Sequence, residues 1–61
     1  MKEVKIVGFV SGSHYYDFVD ACKDRGIYLL GTYSQGEFKG TYEGTLENLK
    51  SATSAVGVFI G

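Results

Sequence analysis

The chain has 61 residues, 44% hydrophobic and 21% charged, with a net charge of −1. It is long enough for one domain over residues 1–61 and apolar enough to collapse rather than remain disordered. Its single Cys excludes an internal disulfide and a multi-thiolate zinc site, and the lack of a basic excess argues against a nucleic-acid partner.

Residues 4–10 (Val-Lys-Ile-Val-Gly-Phe-Val) are rich in β-branched types and predict a first strand. Alternation puts Val4, Ile6 and Val10 on one face and Lys5, Val7 and Phe9 on the other. Ser11-Gly12-Ser13 interrupts the strand, and from His14 the period changes. Tyr15, Phe18, Val19 and Cys22 fall at i, i+3, i+4 and i+7, one stripe of a helix capped by Ser13 and ended by Gly26. Residues 27–33 predict a second strand, 34–36 a turn and 37–43 a third strand, so that strands two and three form a hairpin. Thr45 caps a second helix carrying Leu46, Leu49, Ala52 and Thr53. Residues 56–61 read as a last strand.

The resulting order, β-α-β-β-α-β, predicts a ferredoxin-like α+β sandwich. It has a four-stranded antiparallel sheet, two helices on one face, and strands one and three in the centre. No apolar run reaches the ~20 residues of a membrane span, and the N-terminus does not read as a signal peptide, so a cytoplasmic setting is expected.

A core of this size rarely supplies more than ~3–5 kcal/mol without a staple, which makes self-association the expected support. If Val4 and Ile6 meet the helices, Val7, Phe9, Tyr28, Leu30 and Phe59 face away on the outer side of the sheet. They are the candidate interface of a homo-oligomer.

The candidate ligand site is the loop Ser11-Gly12-Ser13-His14-Tyr15-Tyr16. Gly12 permits close approach to the backbone, amides at a helix start attract phosphate, and an exposed Tyr offers a stacking face for a base. His14 is a candidate donor to an anion. Asp17, Asp20 and Asp24 lie along one side of the first helix and read as a solvated face rather than a metal site. Cys22 sits on the apolar stripe and reads as a buried structural thiol. No metal or other cofactor is called for.

Two motifs make residues 7–49 resemble an acylphosphatase domain. That family has a Gly-rich loop, typically Gln-Gly-Val-Gly-Phe-Arg, between strand one and helix one, where this chain has residues 11–16. The family's hairpin reads Asp-Gly-x-Val-Glu, then four residues, then Gly before helix two. Here Gln35-Gly36-Glu37-Phe38-Lys39 is followed by four residues and Gly44. The resemblance implies the same sandwich and a phosphate-holding first loop. It also aligns the family's catalytic Arg with Tyr16 and its catalytic Asn with Thr32 or Tyr33. A phenol lacks the charged planar fork with which Arg grips a phosphoryl group, and Thr orients water less well than an amide does. The expected function is therefore non-catalytic binding of a phosphate-bearing or nucleotide-type molecule. Sequestration of a nucleotide signal, in the manner of small viral sponge proteins acting in the host cytoplasm, is one setting for it. The alternatives are an acylphosphatase-type hydrolase and a small protein-binding inhibitor or subunit acting through the apolar sheet face.

Overall fold

A computed structural model describes residues 2–61; Met1 lies outside the described residues. The elements are β1 (Lys2–Val7), α1 (Gly12–Asp24), β2 (Tyr28–Ser34), β3 (Glu37–Glu43), α2 (Leu46–Val56) and β4 (Phe59–Ile60). All strand pairs are antiparallel, in the order β2-β3-β1-β4. The fold is the ferredoxin-like sandwich, with β3 and β1 central.

The core lies between the sheet and the helices. Phe18 and Cys22 of α1 and Leu49, Ala52 and Thr53 of α2 are buried against Ile6, Phe38 and Tyr42 of the central strands. Ile27 and Val58, just outside β2 and β4, close its ends. The helical stripe and the alternation of β3 converge here because each buries one face.

Four local features differ from the sequence expectation. First, β1 ends at Val7. Gly8 has φ +98, which breaks the alternation and turns the chain under the helices. Phe9 is therefore not an outward interface residue. It is buried in the core, while Val10, expected inside, is 85% exposed. Second, α1 begins two residues early, at Gly12, and its cap is Ser11 rather than Ser13. Third, Val56 belongs to α2, and Gly57, in the left-handed region, ends that helix; β4 is only two residues long. Fourth, β2 is displaced by one residue toward its C-terminus relative to residues 27–33.

The hairpin contains a close approach. Gly31 and Gly40 face each other across β2 and β3. A Cβ on Gly31 would overlap the Lys39 carbonyl and stand 2.6 Å from the Gly40 Cα; one on Gly40 would overlap the Leu30 carbonyl. Only glycine fits at either position.

Candidate functional site

The loop between β1 and α1 is held at both ends. Phe9 anchors the first end. Its ring meets those of His14, Tyr15, Phe18 and Tyr33 edge-on, with centroids 5.5–5.7 Å apart. Its N–H donates to the Gly36 carbonyl in the β2–β3 turn at 3.3 Å. Edge-to-face contacts of this kind add about 0.5–1.5 kcal/mol each beyond area burial.

Ser11 anchors the second end. Its Oγ accepts from the His14 N–H at 3.2 Å, and its carbonyl accepts from the Tyr15 N–H at 3.2 Å.

His14 ties the two ends together. The Val10 N–H donates to Nδ1 at 3.2 Å, and Nε2 lies 2.6 Å from the Val56 carbonyl. A backbone N–H only donates and a carbonyl only accepts, so Nδ1 is bare and Nε2 carries the hydrogen. The ring is thus the neutral Nε2–H tautomer with both nitrogens engaged. It satisfies one of the orphan carbonyls at the C-terminal end of α2. His14 is a bracket between the loop and α2, which removes it from the set of residues available to an anion.

Tyr15 is also turned inward. It stacks on Tyr33 at 4.6 Å and packs on Phe38 at 6.0 Å. Burial, with lesser effects from Tyr16 and Cys22, raises the pKa of its hydroxyl. Tyr16 is the exposed partner, 69% accessible. Around the loop, the amides of Phe9, Val10, His14 and Tyr15 are paired, whereas those of Ser11, Gly12 and Ser13 have no acceptor among the described residues. Apart from its chain neighbours and its own helix backbone, no atom of the described residues lies within 4 Å of where a Gly12 Cβ would stand. Of the six loop residues expected to bind, four therefore remain open to solvent with donors or a ring to offer: Ser11, Gly12, Ser13 and Tyr16.

The outer face of the sheet is not one apolar patch. Tyr28 and Leu30 are exposed on β2, and Phe59 is exposed on β4 beside half-buried Val7. The register places Lys5, Glu37, Lys39 and Thr41 between them, with Lys5 and Glu37 paired at 3.6 Å. A concavity of about 580 Å³ lies over β1 and β3, walled by Glu3, Lys5, Lys39 and Thr41. Lys5 and Lys39 are directly opposed across these strands.

Asp17, Asp20 and Asp24 are exposed, and no group of His, Cys, Asp and Glu suited to a metal ion occurs among the described residues. Cys22 is a free, buried thiol whose pKa is pushed up to about 11 by burial, against a smaller opposing effect of Arg25. Among the described residues no helix is long and apolar enough to cross a membrane.

No family model, curated protein or solved structure matches the chain.

Proposed function

We propose that this chain is a non-catalytic binder of a small phosphate-bearing molecule, held at the β1–α1 loop, in a cytoplasmic setting. The observation that carries the reading is the run of unpaired amides at Ser11, Gly12 and Ser13, at the start of α1, with open space above Gly12. Such amides carry partial positive charge and point along the helix axis, the arrangement that suits an anion. Exposed Tyr16 adds a flat face for a base beside the anion. The likeness of residues 11–16 to the acylphosphatase loop supports the same location. Tyr16 in place of that family's Arg supports binding without hydrolysis.

Calorimetric titration with inorganic phosphate and a panel of mono- and cyclic nucleotides tests the reading. Gly12→Val places methyl groups where the anion would sit and meets no protein atom, so it is expected to weaken binding at least about tenfold without unfolding the chain. Lys39→Gln, on the sheet face, is expected to bind as the wild type does. Binding that survives Gly12→Val and is lost in Lys39→Gln would move the site to the concavity over β1 and β3. No binding by any probe would refute the proposal.

A further inference from the structure

β2 is an outer strand. It pairs on one side with β3, in unbroken register from Tyr28↔Glu43 to Ser34↔Glu37. Among the described residues no strand lies on its other side. Proteins usually protect such an edge by brevity, charge, proline or a bulge. β4, at the opposite edge, is protected by being two residues long. β2 has none of these devices. It runs seven residues, its ladder carries no bulge, and no charged residue or proline occurs from Gly26 to Gly36.

Each side of this edge also carries apolar side chains, beside exposed Thr32 and Ser34 on the outer face. Tyr28 and Leu30 are 68% and 65% exposed on the outer face. On the helix side a cleft of about 130 Å³ opens between α1 and β2, lined by Tyr15, Val19, Ile27 and Leu29, with Lys23 at its rim. A strand laid along β2 would find backbone partners in its plane and apolar surface above and below.

We propose that the occupant is β2 of a second copy, antiparallel, with the twofold axis at Gly31. The sequence around Gly31 is compatible with itself. Leu30 meets Thr32 and Tyr28 meets Ser34 on the outer face, while Leu29 meets Tyr33 on the helix side. No like charges oppose each other in that register. A net charge of −1 adds little long-range repulsion between copies. The two sheets join into one of eight strands. The half-covered Leu29 and Tyr33 close against their counterparts, which supplies apolar burial that a chain of this size lacks alone. This interface borders the β1–α1 loop only at Tyr15 and does not use the amides of residues 11–13.

Sedimentation velocity on the full chain over a hundredfold concentration range tests the proposal. The wild type is expected to move toward twice its 6.6 kDa mass as concentration rises. Leu30→Lys and Thr32→Lys put a charge on exposed positions of the edge strand and are expected to sediment as monomers, with unchanged far-ultraviolet circular dichroism. Phe59→Lys, at the far edge, is expected to dimerise like the wild type. Hydrogen exchange of the β2 amides is expected to slow with concentration, while that of exposed helix amides does not. A wild type that stays monomeric at the highest concentration overturns the proposal. So does a dimer that persists in both Leu30→Lys and Thr32→Lys, and so does one abolished by Phe59→Lys alone. If Leu30→Lys fails to fold, Thr32→Lys decides.

Discussion

Replacing His14 by Ala should cost this protein a large share of its stability. The variant loses the Nε2–H bond to the Val56 carbonyl, which is partly buried and 2.6 Å long, and a hydrogen bond of this kind contributes about 1–1.5 kcal/mol. The exposed Val10 N–H can turn to water when Nδ1 disappears, so its loss adds only about 0.5 kcal/mol at most. Loss of the edge-on contact with Phe9 adds roughly another 0.5 kcal/mol. The sum is about 2 kcal/mol, against the ~3–5 kcal/mol that a single small core supplies. With a urea slope near ~1 kcal/mol per molar for a domain of this size, the unfolding midpoint should fall by about 2 M. His14→Asn retains an acceptor near the position of Nδ1 but does not reach Val56, so its midpoint should lie between the two. Amide exchange at Val10 should quicken in the Ala variant and much less in the Asn variant. A His14→Ala midpoint within ~0.3 M of the wild type would refute the bracket assigned to this ring.

Phe9→Ala removes the ring that four neighbours meet edge-on, a loss of about 3–5 kcal/mol, and should leave the chain largely unfolded by near-ultraviolet circular dichroism rather than merely dissociated. Gly31→Ala drives a methyl into the backbone of β3 and should cost about 1–3 kcal/mol, lowering the melting temperature, whereas Gly12→Ala, with nothing within 4 Å, should change it little. Cys22 keeps its proton in the folded chain up to about pH 11, while the unfolded chain releases it near the ordinary value of 9.0. Between these values the folded state binds more protons, so stability contributed at this site falls as pH rises. Native Cys22 should therefore resist iodoacetamide at pH 8 and react promptly in urea. Thr45→Ala removes the oxygen that accepts from the Asn48 N–H at 3.1 Å and should cost about 1 kcal/mol in denaturant unfolding.

The periodic elements were legible because each carries a full pattern: the stripe Phe18 and Cys22, the alternation Phe38, Gly40 and Tyr42, and the Thr45 cap. The end of β1 was not legible, because alternation continues on paper through Gly8, Phe9 and Val10, and only the positive φ of Gly8 reverses their sides. Ser11 and Ser13 are equally good caps by residue type, so choosing between them needs the backbone. The tract from Val56 to Gly61 has the composition of a strand, yet Val56 completes α2 because Gly57 takes the left-handed conformation there. At the candidate site the loop was visible as a break in period, but the engagement of His14 was not. Its partner, Val56, lies 42 residues away, and no local pattern announces that meeting. The outer face looked continuous from side-chain parity alone. The register that sets Lys5 opposite Lys39, between the apolar corners, belongs to strand pairing at long range.

The placement of β1 between β3 and β4 governs the order in which the chain can assemble. β2 and β3 are joined by a two-residue turn at Gln35 and Gly36, so that hairpin closes with little loss of chain freedom and on a microsecond scale. β1 comes before both of its neighbours in chain order, and β4 is the last of the described elements to follow it. Until β3 follows it has two open edges, and until β4 follows it has one. Lys2, Glu3 and Lys5 make half of its residues charged, which guards a strand that must wait. A nascent chain that has released β3 but not β4 should therefore hold the hairpin with β1 docked along its six-residue register on β3, the other edge of β1 staying open until Phe59 and Ile60 follow.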